Sequence, residues 1–251
     1  MIQVIKIGGG VLENEAQRDA FLRQFAAIEG PKILVHGGGR LATTMADRLG
    51  VETHMIDGRR VTDKETLDIV TMVYGGLVNK QVVAQLQTMG VNAIGMTGAD
   101  GGWMKAVKRP IKNGIDYGYV GDVVEVNGAH LRTLLDNGLT PVIAPITFSA
   151  DGLLLNTNAD TVASETAVSL APDVQLTFCF EKAGVLSNPD DESSLIACIT
   201  PETYTQLKAD GIISGGMIPK IDNAFAAIEH GVQSVRITHA SNLQGGTIIV
   251  E

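Results

Sequence analysis

The chain has 251 residues, of which 45% are hydrophobic, 19% charged and 4% aromatic. This composition is typical of a folded globular protein and excludes a disordered chain. Nineteen basic residues stand against 28 acidic ones, giving a net charge of −9, which argues against nucleic-acid binding because such domains are usually basic. No hydrophobic run is long enough for a transmembrane helix, and the N-terminal residues lack the features of a signal peptide. We therefore predict a cytoplasmic protein without a nucleic-acid or membrane partner.

Short β-branched runs alternate with longer helical periods along the whole chain. This alternation predicts βαβ units and a mainly parallel central sheet with helices on both faces, which is an α/β fold in three α/β/α layers. We expect a single domain, 1–251, with two lobes that meet near residue 170. The predicted elements in chain order are strand 3–7, helix 13–28, strand 32–36, helix 41–49, helix 63–89, strand 92–96, strand 119–126, helix 129–137, strand 140–146, helix 160–170, strand 174–180, helix 201–209, helix 218–229, strand 234–238 and strand 247–250.

The predicted helix 63–89 is unusually long and contains two adjacent glycines, Gly75 and Gly76. Each glycine costs about 0.5–1 kcal/mol inside a helix relative to alanine. Either another helix approaches closely at this point, for example from a second subunit, or the helix is kinked or broken there. The start of the helix is predicted at a capping box formed by Thr62 and Glu65.

The cysteine and histidine residues of the chain predict no metal or redox site. Cys179 and Cys198 lack zinc-binding or redox spacing and are predicted to be apolar core thiols. The five histidines show no spacing suited to a metal. The Gly- and Lys-rich segment 97–116 is predicted to be a surface excursion with hairpins, and Trp103 within it a loop or rim residue.

Two predicted strands end in three consecutive glycines, at 8–10 and 37–39. Glycine turns at the carboxyl ends of parallel strands let backbone N–H groups converge on an anion, and Lys6 stands just before the first turn. Neither turn is a Walker A loop. The second turn also fits the Gly-x-Gly-x-x-Ala pattern of a dinucleotide-binding fold, with Asp57 as its ribose-binding acid, but that alternative leaves the first turn without a role.

Two later polar segments have structural explanations when each is taken alone. Asn158 suits the N-cap of the helix that follows, and Asp160 lies near the positive end of that helix. Pro219 is tolerated near a helix start, and Lys220 beside it could be a solvated charge. Only the combination of these segments with the glycine turns indicates a site.

This combination resembles the amino acid kinase family over almost the whole chain. It is most similar to the members that phosphorylate an N-acylated glutamate in arginine biosynthesis. Acetyl is the acyl group usual in these members, and succinyl would need a wider or more basic pocket. The segments that carry the resemblance, in the family's order and spacing, are KIGG at 6–9, HGGG at 36–39, GRRVT at 58–62, NTNAD at 156–160 and GGMIPK at 215–220.

The resemblance implies transfer of the ATP γ-phosphoryl group to the γ-carboxylate, with Mg²⁺ on the ATP phosphates and no metal held by side chains. It implies an N-terminal lobe, about 1–170, that binds the amino acid and a C-terminal lobe, about 171–251, that binds the nucleotide. The implied catalytic residues are Lys6, Lys220 and Asp160. The implied acceptor-binding residues are Gly37, Gly38, Arg60 and Asn156. The implied nucleotide-binding residues are Gly8, Gly9, Glu181, Gly184, Leu186, Ile213 and Ser214.

The sequence departs from the family at the nucleotide side, where Phe180, Glu181 and Lys182 replace the usual Thr or Ser followed by Asp. Lys6 stands too close to the start for the extra N-terminal helix of arginine-inhibited members, so we expect an arginine-insensitive homodimer. Three alternatives stay open: an amino acid kinase with a carbamate, aspartate or phosphate-monoester acceptor, an NAD-dependent oxidoreductase, and a non-catalytic sensor of the same fold.

Overall fold

A computed structural model describes residues 1–56, 58–188, 190–215 and 217–251. Its strands are β1 Ile2–Ile7, β2 Lys32–His36, β3 Met55–Ile56, β4 Arg59–Arg60, β5 Ala93–Met96, β6 Met104–Lys108, β7 Gly121–Val126, β8 Thr140–Ile143, β9 Ile146–Phe148, β10 Leu154–Asn156, β11 Val174–Phe180, β12 Cys198–Ile199, β13 Ser234–His239 and β14 Thr247–Ile249. Its α-helices are α1 Gly9–Glu13, α2 Glu15–Ala26, α3 Gly39–Arg48, α4 Lys64–Val70, α5 Asn79–Thr88, α6 Gly128–Asp136, α7 Ala159–Leu170, α8 Pro201–Ala209 and α9 Met217–Glu229. A π-helical segment, Thr71–Val78, joins α4 to α5.

An eight-stranded sheet forms the centre of the molecule, in the order β12-β14-β13-β11-β1-β2-β8-β5. Its neighbouring strands are parallel except for β13 and β14, which are antiparallel. The predicted mainly parallel sheet is therefore confirmed. The strands that precede residue 170 and those that follow it lie on opposite sides of the boundary between β1 and β11, so both halves of the chain share one sheet.

Alternate side chains of β1 enter two different cores, because successive residues of a strand point to opposite faces of the sheet. Ile5 and Ile7 pack with buried residues of α1 to α5. Ile2 and Val4 pack with buried residues of α6 to α9. Burying one such side chain fully contributes about 1.5–3 kcal/mol. These two cores make the fold a three-layer α/β/α sandwich, as predicted. No helix among the described residues has the length and hydropathy needed to cross a membrane.

A smaller four-stranded sheet, in the order β10-β9-β6-β7, lies beside the main one. The β6–β7 pair supplies a hairpin in the region where the sequence predicts one. Trp103 lies in a loop directly before β6, as predicted, but it is not at a rim: its side chain is completely buried, and its Nε1–H donates to the Thr97 carbonyl oxygen at 2.8 Å. The indole belongs to the same core as Leu131 of α6, which is distant in the sequence.

The long helix predicted over 63–89 is confirmed, since the chain is helical without interruption from Lys64 to Thr88. Gly75 and Gly76 lie where it takes π-helical geometry between α4 and α5, so the helix changes its winding at the glycines but does not break there. The predicted Thr62 capping box is wrong, because Asp63 is the N-cap and accepts from the Thr66 N–H at 2.8 Å.

The two cysteines differ in their surroundings. Cys179 is buried on β11, and burial raises the pKa of its thiol to about 12. Cys198 is exposed, so its prediction as a core thiol is wrong. It lies on the two-residue strand β12 at the edge of the main sheet, where a neighbouring strand covers only one side.

Candidate active site

The two glycine turns meet at one edge of the main sheet, because β1 and β2 are adjacent and parallel. Their backbones are so close that a Cβ atom on either side would be crowded. A Cβ atom on Gly9 would lie 3.1 Å from the Gly38 nitrogen, and one on Gly37 would lie 3.2 Å from the Gly9 nitrogen. The approach therefore favours glycine on both sides, because any other residue would push the facing backbone away.

The N–H groups of these turns are not equally available. The Gly37 N–H donates to the Ile7 carbonyl oxygen at 3.0 Å and so continues the pairing of β1 with β2. The N–H groups of Gly8, Gly9 and Gly38 meet no acceptor among the described residues. Gly38 is also the N-cap of α3, where the helix dipole favours an anion. The amide of Gly37 is therefore not free to bind a carboxylate as predicted, and Gly38 remains as the donor of this turn.

Two lysines and an aspartate lie together beside the turns. Lys6 is 10% exposed, and its Nζ forms an ion pair with Asp160 Oδ1 at 2.8 Å. Asn158 caps α7 as predicted, because its Oδ1 accepts from the Asp160 and Thr161 N–H groups. Lys220 Nζ lies 3.8 Å from the centre of the Phe180 ring.

Burial is the main cause that lowers the pKa of Lys220, and the charge of Lys6 lowers it further, whereas Asp160 and Glu181 raise it. Lys6 Nζ lies over the same Phe180 ring, 5.7 Å from its centre, so both lysines and Asp160 are close enough for their charges to act on one another. Tertiary folding has thus placed residues from β1, α7 and α9 in one electrostatic cluster.

A cavity of about 590 Å³ opens next to this cluster. That volume is within the range usual for small-molecule sites, about 300–1,000 Å³. Of the residues predicted from the sequence, its wall contains Gly37, Gly38, Arg60, Asn156, Asp160 and Lys220. Lys6 reaches the wall through its ion pair with Asp160. Gly9 lines a separate cavity of about 210 Å³, which Gly38 also borders.

The Arg60 side chain is buried and held in place by the protein. Its Nη2 donates to the Gly39 carbonyl oxygen and to Thr43 Oγ1, both at 2.8 Å, and its Nη1 donates to Thr53 Oγ1 at 3.2 Å. These contacts fix the plane of the guanidinium group in the cavity wall. They leave part of its donor capacity for a carboxylate, since a guanidinium group has five N–H donors.

Asn156 presents one half of its amide to the cavity. Its Nδ2 donates to Thr62 Oγ1 at 3.0 Å, whereas its Oδ1 has no partner among the described residues. The free oxygen is an acceptor, which suits the N–H of an acylated amine.

The residues predicted for the nucleotide are not brought together in the cavity wall. Glu181 is exposed at the end of β11 and pairs with Arg40 at 3.3 Å. Leu186 and Ile213 are buried, and Ser214 is exposed. Gly184 is closely packed, because a Cβ there would lie 2.6 Å from Leu195 Cδ1.

Several residues in the cavity wall were missed by the sequence analysis: Arg59, Tyr74, Arg109, Glu165 and His230. Burial raises the pKa of Tyr74 and of Glu165. Glu165 stands five residues after Asp160, about 140° around α7, so helical spacing from Asp160 gave no signal for it. The others come from segments that only the fold brings together. Asp57, of the dinucleotide alternative, and Gly216, of the last motif, lie outside the described residues.

A family model described as amino acid kinase family matches residues 1–239. The chain belongs to the amino acid kinase family. This membership overturns the dinucleotide-binding alternative. The chain is 55% identical to a protein of Phocaeicola vulgatus named acetylglutamate kinase, over 99% of this chain and 98% of that one. It is 54% identical to a protein of the same name from Cytophaga hutchinsonii, over 96% and 92%. A crystal structure of a Streptococcus mutans protein superposes with a TM-score of 0.77 at 30% identity, covering 99% of this chain and 98% of that one.

Proposed function

We propose that this kinase transfers the γ-phosphoryl group of ATP to the γ-carboxylate of N-acetyl-L-glutamate, forming an acyl phosphate in arginine biosynthesis. The observation that carries the proposal is the 55% identity to a named acetylglutamate kinase over nearly the full length of both chains. The geometry supports it, because Lys6, Asp160 and Lys220 lie beside two glycine turns that offer free N–H donors.

The reaction needs positive charge more than it needs a base. A free carboxylate has a pKa near about 4.3, so the acceptor is already ionised at neutral pH. The barrier arises because an anion attacks a polyanion, and N–H donors and lysines lower that barrier by stabilising charge on the transferring group. Lys6 and Lys220 supply the charge from two elements, and Asp160 holds the Lys6 ammonium group. The Gly38 N–H binds an anionic oxygen of the reactants.

The acceptor occupies the cavity that contains Arg60 and Asn156. Arg60 binds the α-carboxylate, and the free Oδ1 of Asn156 accepts the N–H of the acylated amine. ATP enters as its Mg²⁺ complex, with its phosphates at Gly8 and Gly9. Its nucleoside lies over the C-terminal lobe, about 171–251, near Glu181.

A charged acyl group is the second candidate, and the arginines of the cavity favour it. Arg59 and Arg109 line the same wall as Arg60. Arg109 is neutralised by Asp122, which accepts from its Nη2 at 2.6 Å and from its Nε at 2.9 Å. Arg59 is exposed. Because Arg60 already binds the α-carboxylate, the positive charge of Arg59 is left for a second anionic group. It could pair with the terminal carboxylate of a succinyl group.

ATP turnover with hydroxylamine trapping tests the proposal and the acyl group together. The acceptors compared are N-acetylglutamate, N-succinylglutamate, glutamate, aspartate and none. Hydroxamate from N-acetylglutamate supports the proposal, and a higher kcat/KM for N-succinylglutamate that falls in Arg59→Gln selects the second candidate. Folded protein that binds ATP and yields no hydroxamate with either N-acylglutamate refutes both.

We expect an arginine-insensitive cytoplasmic homodimer. Its interface would include the exposed side of the π-helical segment, where Met72 and Leu77 are 57% and 39% exposed. A Cβ on Gly76 would meet no atom within 4 Å, so this surface has room for a closely packed partner. Light scattering tests the dimer, and inhibition by micromolar arginine would contradict the expected insensitivity.

A further inference from the structure

His36 is a buried titratable side chain that the proposed chemistry does not use. It is the last residue of β2 and is completely buried directly before the second glycine turn. Its Nδ1 lies 2.8 Å from the Gly37 carbonyl oxygen. A carbonyl oxygen can only accept, so Nδ1 carries the proton.

The other ring nitrogen identifies the protonation state. Nε2 lies 3.1 Å from Asn79 Nδ2. That amide is oriented by two further contacts: Nδ2 also donates to the Val142 carbonyl oxygen at 2.9 Å, and Oδ1 accepts from Lys80 Nζ at 3.1 Å. Nε2 therefore accepts, and the imidazole is neutral. The pKa of His36 is lowered to about 4, mainly by burial; the hydrogen bond to the Gly37 carbonyl opposes this, and the positive charge of Lys80 adds to it.

The contact with the Gly37 carbonyl determines the direction of the next N–H group. In a trans peptide the C=O and the following N–H point in opposite directions, so holding the Gly37 oxygen aims the Gly38 N–H away from His36. The peptide plane between two glycines could otherwise flip through rotation about ψ of Gly37 and φ of Gly38, since glycine tolerates both negative and positive φ. After such a flip a carbonyl oxygen would face the anions that the Gly38 N–H should bind.

Side chains of the π-helical segment pack against Gly38 and so also restrain the second glycine turn. A Cβ on Gly38 would lie 2.8 Å from Tyr74 Cδ1 and 3.6 Å from Val78 Cγ2, so both side chains pack against the turn. Asn79 follows directly as the first residue of α5. A π-helix has i→i+5 hydrogen bonds and therefore more residues per turn than an α-helix. The π-helical segment thus changes the direction in which the side chains of α5 point, and this change helps to bring Asn79 to His36.

We propose that His36, held by Asn79, is a positioning residue that locks the Gly37–Gly38 peptide so that the Gly38 N–H faces the anionic reactants. The proposal rests on the proposed function for its kinetic test. We expect His36→Leu and Asn79→Ala to lower kcat on the order of 10–100-fold, less than deletion of a complete preorganised donor, and to change both KM values less than kcat. His36→Asn places an amide N–H near the position of Nδ1, so it should recover most of the lost kcat.

A matched control separates positioning from loss of stability. Leu86 is buried on the same helix, two turns after Asn79, and Leu86→Val should lower Tm with kcat unchanged. The proposal is overturned if His36→Asn is no more active than His36→Leu, or if Leu86→Val loses as much kcat at an equal loss of Tm.

The pH profile supplies a readout that a purely structural role would not change. In Asn79→Asp, a carboxylate faces Nε2 and raises the pKa of His36 toward neutrality. The imidazolium then donates on both sides, so kcat of this variant should rise as pH falls through the new pKa. The wild type should show no such change between pH 6 and 8. Parallel profiles for the two proteins would overturn the proposal.

NMR distinguishes failure of this proposal from failure of the proposed function. If the wild type forms no hydroxamate, the proposed function fails, whereas the ¹⁵N signals of His36 and Gly38 still test the positioning role. Nε2 should be unprotonated at neutral pH, and addition of N-acetylglutamate together with AMP-PNP and Mg²⁺ should shift the Gly38 amide proton in the wild type but not in His36→Leu. A proton on Nε2, or a Gly38 signal that does not respond, would overturn the proposal.

Discussion

Replacing Lys6 by methionine removes one buried charge and nearly preserves the volume of the side chain. Lys6 is 10% exposed and lies 2.8 Å from Asp160 Oδ1, so water screens it little. Two unit charges about 4 Å apart interact by about 4 kcal/mol at an effective dielectric constant near 20. If the ammonium group lies at that distance from the transferring phosphoryl group, its full loss corresponds to about 10³ in rate, and partial replacement by water gives an expected loss in kcat of about 10²–10³.

The assay is the initial rate of hydroxamate formation at saturating ATP and N-acetylglutamate. Lys105→Met is the matched control, because Lys105 Nζ forms a similar ion pair with Glu125 at 2.9 Å between β6 and β7, outside the cavity wall. Its kcat should equal that of the wild type, and Tm should show that each variant folds. A loss in kcat below about tenfold in both Lys6→Met and Lys220→Met would refute the assigned roles.

Arg60→Gln should raise KM for N-acetylglutamate by about tenfold or more and leave KM for ATP unchanged, because a hydrogen bond to a charged group contributes about 1.5–3 kcal/mol; steady-state kinetics measure both. Trp103→Ala should lower the free energy of unfolding by about 3–5 kcal/mol, which urea unfolding measures, and a loss below about 1 kcal/mol would contradict its burial. The pKa of His36 falls from 6.5 to about 4 on folding, so the unfolded chain binds more protons between these values. The stability contribution of His36 is therefore complete above pH 6.5 and is lost as pH falls toward 4, by roughly 3 kcal/mol; the pH slope of unfolding should be smaller in His36→Asn. Met72→Lys with Leu77→Lys should convert the expected dimer to a monomer in light scattering, and an unchanged dimer mass would place the interface elsewhere.

Local patterns in the sequence were sufficient for the main elements. Each predicted strand and helix has a counterpart in the structure, because hydrophobic periodicity reflects the face that an element buries. Asn158, predicted as an N-cap, caps α7. The glycine turns were predicted at the carboxyl ends of parallel strands, and both lie there; the pairing of β1 with β2 brings them together.

Very short strands and strands at the sheet edge could not be predicted from the sequence. The two-residue strands β3, β4 and β12 carry too few residues for a period, and pairing with distant segments defines them. The same reason explains Cys198, whose hydrophobic neighbours resemble those of a core strand although it lies at the sheet edge. It also explains Trp103, which is buried in a core that contains residues from distant segments such as α6.

The sequence by itself determined the alternation of strands and helices, the two glycine turns, and the lysines and aspartate of the candidate site. Only the tertiary structure decided which of their groups are free. Gly37 and Gly38 are identical in sequence terms, but pairing with Ile7 occupies the amide of Gly37 and leaves that of Gly38 available. His36 resembles any strand residue until Asn79, 43 residues later, fixes its tautomer. Hydrogen bonding and burial depend on contacts between distant segments, and these contacts exist only after the chain has folded.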